Sequence, residues 1–382
     1  MTRKKLAILT HEFYPVLSGG TIFTDKLAIE LAKIGYDVDI LTARLAGDFP
    51  AVERRDGITI RRYRTARESV GDATLAEHLT YFALGAPQML AEAARARYDL
   101  LFPVFAIPSG LTAVLIQQAL RIPSVVFVDA ADTPGVQSAM NSYVRHLASL
   151  FRFVTHRSAG VVICEGLEDM AMPYIVNPHV TAIPNGAVIP VERARPGEHG
   201  PKLEILSIGR LVLRKGFQDI IRALGIVKKK RSDLHLKVIG YGKGEDEIMR
   251  VLAEHDVTDL ISFVGRVEYR DLGSHYLGSD AYLFYGDREG SSLAMIEAVA
   301  YGLPVLASDH PGNRTYVDHG KSGYLVEYGK PEALAASLLA LLEERDRLPE
   351  MGRRSRELGE SYSWAKIAER YDGFFRQVLG AG

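Results

Sequence analysis

Residues 281–307, AYLFYGDREGSSLAMIEAVAYGLPVLA, contain the pattern that decides the fold. Two short apolar runs, Ala281–Tyr285 and Pro304–Ala307, flank a helical pattern over Leu293–Tyr301. Continuous apolar runs of this length are typical of strands that are buried on both faces. Strands joined through a helix form right-handed parallel units. The stretch therefore predicts a parallel sheet covered by helices.

The same alternation of short apolar runs and helical patterns continues along most of the chain. In Thr21–Ile34 the apolar residues form one stripe, and Gly35 is a good helix stop. Strands separated by helices favour an α/β protein with two doubly wound, Rossmann-like domains. The other predicted strands are Leu6–Thr10, Val38–Ala43, Ile58–Tyr63, Leu100–Val104, Ser124–Val128, Val161–Cys164, Val180–Ile183, Leu203–Ile208, Leu236–Ile239 and Ile261–Val264.

A polar segment rich in proline and glycine, residues 190–202, interrupts this alternation. It has no hydrophobic period, so we interpret it as a linker between domains. The chain then divides into an N-terminal domain over 1–189, a C-terminal domain over 203–362 and a final helical segment over 363–382. Two such domains would place a cleft between the carboxyl ends of two sheets, where α/β folds bind ligands.

Composition excludes several classes of function. Acidic and basic residues nearly cancel, at 47 and 46, so no overall field favours nucleic acid or an anionic membrane. Cys164 is the only cysteine, so an intramolecular disulfide is impossible and a reducing cytosol is expected. No apolar run approaches the roughly 20 residues that a bilayer span needs. The sequence therefore predicts a cytoplasmic protein.

One predicted helix, over residues 140–157, leaves a peripheral membrane contact open. Its apolar side would consist of Val144, Leu147, Phe151 and Val154, with basic residues interspersed. A basic amphipathic helix can lie on anionic lipid. A helix that faces the core with solvated charges explains the same pattern, and we favour this second interpretation.

The turn within residues 281–307 combines several groups that suit a nucleotide. Glu289 lies in the turn, and Glu297 follows eight residues later within the helix. The carboxylate of Glu297 could accept hydrogen bonds from a ribose diol. Either glutamate alone is better explained as a solvated side chain, but the two together with the turn favour a site. First-turn amides have no partner inside a helix and suit a phosphate; here they belong to Ser292, Leu293 and Ala294.

Two other strand ends carry weaker signals. Arg210 and Lys215 follow the strand Leu203–Ile208, and a guanidinium with an ammonium suits a diphosphate. Gly19 and Gly20 follow the first strand and precede a helix, where glycines allow a ligand to approach the backbone. Taken alone, the first pair is explained by surface cations and the second by a turn.

In this order, these segments resemble the retaining glycosyltransferases of the GT-B fold, of the family-four type (group 1). The resemblance covers nearly the whole chain, and the Glu289-x7-Glu297 pair followed by Gly302-x-Pro304 is its most specific part. The other matching motifs are Gly19-Gly20, Ile183-Pro184-Asn185-Gly186, Gly209-Arg210-Leu211 with Lys215-Gly216, Gly240-Tyr241-Gly242, Phe263-Val264-Gly265 and Ser363-Trp364.

The resemblance implies transfer of a hexose-type sugar from a UDP- or GDP-sugar, without a metal and with retention of the anomeric configuration. Arg210 and Lys215 would hold the diphosphate, and Glu297 would bind the ribose hydroxyls. Glu289 would lie near the transferred sugar. The first-turn amides at 292–294 and Gly20 would surround the phosphate and sugar. The backbone at Arg266 and Val267 would face the base.

Further implications concern the partners and the last helix. The nucleotide-sugar is a substrate, so no cofactor is expected. The acceptor would be a carbohydrate, a lipid-linked compound or a small molecule, as in the biosynthesis of cell-envelope polysaccharides or glycolipids. In this family the final helix usually returns to the first domain, which suits Ala365–Val378.

The sequence departs from the family pattern at two places. The turn has Ser291-Ser292 where many relatives have Phe-Gly, which bears on the contacts to the donor sugar. Relatives commonly show His-Gly-x-Asp after the strand Ser124–Val128, whereas this chain has Asp129-Ala130-Ala131-Asp132. An ionised Asp129 accepts hydrogen bonds but donates none. We therefore treat Asp129 as a candidate catalytic residue, with capping of the next turn or pairing with an arginine as the alternative.

Other classes of protein fit less well. The histidines lack the spacing of metal ligands, and Asp129 and Asp132 are not an Asp-x-Asp motif. The Gly240-Tyr241-Gly242 loop resembles a dinucleotide loop, but Glu245 stands where the third glycine is needed. Two alternatives stay open. One is a GT-B enzyme that is not a transferase, such as an epimerase or a phosphorylase, and the other is a protein that binds nucleotide-sugars without turnover.

Overall fold

The structure is a computed structural model that describes residues 3–45, 47, 49–68, 73–134, 144–287 and 290–380. The strands are β1 (Lys5–Thr10), β2 (Asp37–Arg44), β3 (Val52–Arg55), β4 (Ile58–Arg64), β5 (Leu100–Pro103), β6 (Val125–Val128), β7 (Gly160–Cys164), β8 (Val180–Ile183), β9 (Leu203–Ile208), β10 (Leu234–Ile239), β11 (Ile261–Gly265), β12 (Ala281–Phe284), β13 (Val305–Ser308) and β14 (Gly323–Val326). The helices are α1 (Gly19–Lys33), α2 (Leu75–Thr80), α3 (Ala86–Ala96), α4 (Leu111–Leu120), α5 (Val144–Arg157), α6 (Glu168–Ala171), α7 (Phe217–Lys228), α8 (Glu245–Ala253), α9 (Leu272–Leu277), α10 (Leu293–Tyr301), α11 (Pro311–Arg314), α12 (Pro331–Glu343), α13 (Leu348–Gly359) and α14 (Trp364–Val378).

The chain forms two compact units, residues 1–185 with 364–382 and residues 186–363. In the first unit, five strands lie in the order β3-β4-β2-β1-β5, and three more in the order β6-β7-β8. Isolated parallel bridges from β5, including Leu101 to Ser124, link the two sets. All of these strands pair in parallel except β3, which is antiparallel to β4. The first unit is therefore a Rossmann-like α/β unit.

The strand β3 was not predicted, and its sequence explains why. Its residues, Val-Glu-Arg-Arg, are mostly polar and lack the continuous apolar character of the buried strands. Asp56 and Gly57 join β3 to β4 with φ of 50° and 80°. Two consecutive positive φ values are typical of the tight turns of hairpins. The hairpin places β3 at the outer edge of the sheet.

The second unit contains one parallel sheet with the order β11-β10-β9-β12-β13-β14. Hydrophobic side chains fill both faces of this sheet, as expected for a parallel sheet that is covered by helices. Helices α7 and α12 pack against each other, as do α10 and α13. The edge strand β14 was not predicted, because Gly-Tyr-Leu-Val is short and begins with glycine. The fold class expected from the sequence, two doubly wound α/β domains, is confirmed.

Residues 190–202, expected as a linker, belong to the second unit in this structure. The amide of Ala194 donates to the carbonyl oxygen of Tyr301 (2.8 Å), and the amide of Gly197 donates to Asp280 Oδ1 (2.6 Å). The ring of His199 also contacts Asp280, at 2.9 Å. A buried aspartate thus anchors the segment, although its polar composition resembles that of a free linker.

The last helix, α14, packs within the first unit. Trp364, Tyr371 and Phe375 are buried along one face, and the rings of Phe23 in α1 and Trp364 lie 6.0 Å apart. The hydroxyl of Tyr36 donates to Asp372 at 2.7 Å. The amphipathic helix α14 therefore covers an apolar face of α1.

Within the described part of the chain, no helix is long and apolar enough to cross a membrane. The predicted helix over 140–157 lies partly outside the described residues, and α5 contains the rest. Phe151 and Val154 are fully buried, as the core-facing interpretation expects. Leu150 and Phe153 lie about 40% exposed. A peripheral membrane contact stays a prediction.

Candidate active site

The order of strands in the second unit defines where a ligand would bind. The chain runs from β9 outward to β10 and β11, and then returns to the other side of β9 with β12. Doubly wound sheets bind ligands outside the carboxyl ends of the strands at such a reversal. In this unit, the reversal lies between the loops that follow β9 and β12. These loops contain the predicted site residues at 209–216 and 285–293.

Glycines let these loops approach each other closely. Gly216 has φ of +71°, and a Cβ atom there would lie 2.2 Å from the carbonyl oxygen of Tyr285. The amide of Asp287 donates to the carbonyl oxygen of Arg214 at 2.8 Å. Because no larger residue fits at position 216, Gly216 holds the loop after β9 against the loop after β12.

Lys215 belongs to the loop that follows β9. It ends a short 3-10 turn over Leu213–Lys215. Its Nζ atom lies 4.8 Å from the centroid of the Phe284 ring, and its stem passes over Gly209. Arg210, one residue beyond Gly209, is exposed at the carboxyl end of β9. The structure therefore places both predicted cations at the strand reversal.

The Gly240-x-Gly242 motif has a packing role. A Cβ atom on Gly240 would lie 1.8 Å from the carbonyl oxygen of Gly209, and one on Gly242 would lie 2.5 Å from that of Leu211. Only glycine fits where the loop after β10 crosses the loop after β9. These glycines support the loop that carries Arg210.

The helix α10 begins at the same edge of the sheet. Ser292 is its N-cap residue, and the Ser292 side chain forms no capping hydrogen bond. The first-turn amides of α10, which include those of Leu293 and Ala294, have no acceptor inside the helix. An uncapped helix N-terminus attracts anions. Glu289 lies outside the described residues, so the structure does not place it.

The first serine of the unusual Ser-Ser turn is buried. The Ser291 hydroxyl is hydrogen-bonded to the hydroxyl of Tyr316, beneath the turn that leads into α10. Ser291 therefore supports the turn, and Ser292 stands at the helix start.

Glu297 is 7% exposed and accepts two tyrosine hydroxyls. Tyr269 donates to its Oε1 atom at 2.6 Å, and Tyr276 donates to its Oε2 atom at 2.9 Å. Burial and the negative charge of Glu297 raise the pKa of Tyr276 well above its ordinary value. The two tyrosine hydroxyls hold the carboxylate of Glu297 in position.

Arg266 and Val267 follow β11 on the same edge of the sheet. The Arg266 guanidinium lies 5.8 Å from the centroid of the Tyr241 ring, and Val267 packs partly buried against the core. The second unit thus brings together Arg210, Lys215, the start of α10, Glu297, and the backbone at 266 and 267.

The first unit has its own strand reversal, between β1 and β5. Gly19 and Gly20 begin α1 after β1, and the Ser18 side chain caps this helix. A Cβ atom on Gly20 would lie 2.8 Å from the Phe105 ring, which follows β5. The structural reason for Gly20 is therefore close packing of the two loops. Its predicted contact with the donor stays a prediction.

Asp129 follows β6 and takes part in a compact turn. Its Oδ1 atom accepts from the amide of Ala130 at 2.7 Å. Asp132 is buried and accepts from the amides of Asp129 and Ala106. Burial raises the pKa of Asp132 to about 7. One oxygen of Asp129 therefore has the capping role that the sequence analysis gave as the alternative, while a role with substrate stays a prediction.

A polar cluster beside β1 was not singled out from the sequence. Glu12 Oε1 accepts from the Ser18 hydroxyl at 2.5 Å, and its Oε2 lies 3.8 Å from the Arg67 guanidinium. The rings of His11 and His78 meet edge to face at 4.9 Å. Burial and the nearby His78 and Arg67 hold the pKa of His11 well below its usual value. Arg67 and His78 are far in sequence from His11, Glu12 and Ser18, so no local motif identifies the cluster.

No group of three or more His, Cys, Asp and Glu side chains with metal-ligand geometry occurs among the residues that the structure describes.

Comparison with known proteins agrees with the geometry. Residues 188–358 match the family described as "Glycosyl transferases group 1", and residues 18–194 match the "Glycosyl transferase 4-like domain". The two doubly wound units have the GT-B fold, and the two family matches identify the chain as a glycosyltransferase. Within that class, the chain belongs to the group 1, family-four type.

Individual relatives differ in how much of the chain they cover. An uncharacterized glycosyltransferase of Haemophilus influenzae is 32% identical over 44% of this chain. The match spans about half of that relative, 48% of its length. A D-inositol 3-phosphate glycosyltransferase of Thermobispora bispora is 26% identical over 94% of this chain and 90% of its own length. A sucrose-phosphate synthase from Thermosynechococcus elongatus has the same fold, with a TM-score of 0.84, 19% identity and full coverage of both chains.

Proposed function

We propose that the chain transfers a hexose-type sugar from a UDP- or GDP-sugar to an acceptor hydroxyl, with retention and without a metal. The observation that carries this proposal is the convergence at the β9/β12 reversal. Two cations, an uncapped helix start and a buried carboxylate lie on one edge of the second unit. Retention and the choice of UDP or GDP are inferred from the family.

The two cations would act on the leaving group. When the bond between the anomeric carbon and the phosphate oxygen breaks, the electron pair remains on the diphosphate. Fixed positive groups that face this developing charge stabilise the transition state more than the ground state. We assign this role to Arg210 and Lys215, with the first-turn amides of α10 beside them. In this proposal the cations replace the metal that other transferases use.

The remaining contacts would orient the nucleotide and the sugar. Glu297 would bind the ribose hydroxyls, held in position by Tyr269 and Tyr276. The backbone at 266 and 267 would face the base, and Glu289 would lie near the transferred sugar. No resident cofactor is part of this proposal, because the nucleotide-sugar is consumed.

Asp129 would act at the sugar or the acceptor. Its Oδ1 atom accepts from the amide of Ala130, and we assign its carboxylate to a sugar or acceptor hydroxyl. A negative charge near an oxocarbenium-like centre is also stabilising. We expect a cytoplasmic enzyme that supplies cell-envelope polysaccharide or glycolipid synthesis.

A thermal-shift screen with UDP-, GDP- and ADP-sugars tests the donor assignment, because a ligand that binds only the native state raises its stability. We expect one nucleotide series to raise the melting temperature of the wild type and to act more weakly on Arg210→Ala. Proton NMR of the first-formed product then tests retention. An inverted product contradicts the proposed mechanism. Release of an isomerised sugar without any transfer would favour an epimerase.

A further inference from the structure

A basic cavity of about 220 Å³ opens in the first unit, and its lining includes none of the residues assigned to the donor. Arg44, Arg64 and Arg67 line it together with Thr65, and Glu68 contributes the one carboxylate among the described lining residues. We call this cavity the arginine pocket. Arg44 is the last residue of β2 and Arg64 the last residue of β4. The pocket therefore lies at the carboxyl ends of two parallel strands, the edge where such sheets bind ligands.

Two of the arginines occupy paired positions on neighbouring strands. Arg44 and Arg64 are register partners in the parallel pair β2 and β4, and neighbouring strands lie about 4.8 Å apart. Like charges at paired positions are destabilising. Neither arginine forms an ion pair with any residue that the structure describes. An anion bound between them would remove this repulsion.

The charge of the pocket indicates which anion fits. Three guanidinium groups face one carboxylate within the lining, and Arg67 is also 3.8 Å from Glu12. Of the three, Arg44 and Arg64 form no ion pair with a described residue, so two positive charges of the lining are left unpaired by the described carboxylates. A phosphate monoester carries about −1.5 to −2 at neutral pH and offers three acceptor oxygens, and arginine binds such oxygens in pairs.

The pocket is connected to the loop after β1. Arg67 lies against Glu12, and Glu12 accepts the hydroxyl of Ser18. Ser18 caps α1, which begins with Gly19 and Gly20. A phosphate in the pocket would thus lie beside the loop that is predicted to meet the donor. This position suits a group carried by the acceptor.

We propose that the arginine pocket binds the phosphate group of the acceptor, so that this transferase acts on a phosphorylated alcohol, either a soluble ester or a lipid headgroup. The proposal rests on the proposed function, since it names the acceptor class of that reaction. Arg44 and Arg64 would be specificity-determining residues that position the acceptor.

The first test is direct binding of inorganic phosphate by calorimetry. The measurement uses the whole chain with Arg210→Ala and Lys215→Met introduced, so that phosphate does not bind the donor site. Adding Arg44→Gln and Arg64→Gln should raise the phosphate Kd about 100-fold, because each charge-assisted pair is worth about tenfold. Arg97→Gln is the matched control, since this exposed arginine precedes β5 at the opposite edge of the sheet. An unchanged Kd, or no phosphate binding before the arginine changes, overturns the proposal.

The second test is sugar transfer with matched acceptors. Glycerol 3-phosphate and hexose 6-phosphates are compared with glycerol and the free hexoses, and phosphatidylinositol vesicles with vesicles of a neutral glycolipid, which has sugar hydroxyls but no phosphate. We expect transfer to the phosphorylated members of one series, which identifies a soluble ester or a lipid headgroup. Arg44→Gln with Arg64→Gln should raise the acceptor KM at least tenfold and leave the donor Kd unchanged. Equal transfer to uncharged alcohols, or a preference for carboxylates such as malate, contradicts the proposal.

Failure of the proposed function and failure of the acceptor assignment give different results. If no nucleotide-sugar binds or releases its sugar, the proposed function fails, while calorimetry still reports on the pocket. If the donor is bound and its sugar transferred but the double variant behaves like Arg97→Gln, only the acceptor class is wrong. Circular dichroism of each variant checks that the fold is retained.

Discussion

Replacing Lys215 by methionine tests the proposed chemistry most directly. Methionine keeps an unbranched stem over Gly209 and the Phe284 ring but removes the positive charge. The lost cation–π contact is worth about 0.5–1 kcal/mol, and a thioether also packs well on an aromatic ring. Loss of this contact should therefore lower the stability of the variant by less than about 1 kcal/mol.

The effect on turnover should be much larger. Loss of one fixed group that faces transition-state charge typically costs about 2.7–4 kcal/mol, or about 100- to 1,000-fold in kcat. Lys215 is held between two loops that Gly216 brings together, so little reorganisation is needed before reaction. The diphosphate is already charged in the ground state, but new charge appears only as the sugar leaves. We therefore expect kcat to fall at least 100-fold and the donor Kd to rise less than tenfold.

The assay combines nucleotide release with donor titration for three proteins. Lys230→Met is the matched control, because this exposed lysine lies past the far end of α7, about 20 Å along the helix from Lys215. Its kcat should equal that of the wild type. A kcat for Lys215→Met within threefold of the wild type refutes the assignment. A loss confined to donor affinity would show that the charge serves binding and not the chemical step.

Four other perturbations give separate readouts. If the Asp129 carboxylate acts on substrate, Asp129→Asn should lose most activity yet still bind donor, whereas full activity would leave only the turn-capping role. Tyr276→Phe removes a charge-assisted hydrogen bond to Glu297, so urea unfolding should show a loss of about 1.5–3 kcal/mol; a loss below about 0.5 kcal/mol would contradict the geometry. Burial raises the pKa of Asp132 to about 7, so the native state keeps a proton that the unfolded chain releases near pH 4. This difference in pKa contributes up to about 4 kcal/mol to the free energy of unfolding. The contribution should be present below pH 4 and disappear as the pH rises to 7. It is measured as the difference in unfolding free energy between wild type and Asp132→Asn. Activity should survive EDTA, and full loss that Mg²⁺ or Mn²⁺ restores would contradict a metal-independent reaction.

Buried strands were predictable because burial on both faces restricts their sequences to apolar residues. A strand covered on both faces must be apolar throughout, as Leu203–Ile208 and Ala281–Phe284 largely are. The edge strands β3 and β14 are only partly buried, so their sequences need not be apolar throughout. Their short, partly polar sequences therefore resemble loops.

The candidate site was predictable only where chemistry and chain position coincide. Arg210 and Lys215 follow a strand and precede a helix, so their position at the sheet edge could be inferred. The tyrosines that hold Glu297 lie 28 and 21 residues before it, and no spacing rule connects them. The anchor of residues 190–202, Asp280, is also distant in sequence. Contacts made by tertiary packing leave no local pattern.

The path of the chain through the two units has a consequence for synthesis on the ribosome. The first unit needs α14, yet every residue of the second unit is translated before Trp364. Domains generally fold as their residues emerge, N-terminal ones first. Here the second unit is the first to have its whole sequence available. Until the last helix emerges, Phe23 and Phe102 lack the aromatic partners that α14 supplies. The nascent protein therefore exposes an apolar surface on α1 and β5 for the time needed to translate nearly half of its length.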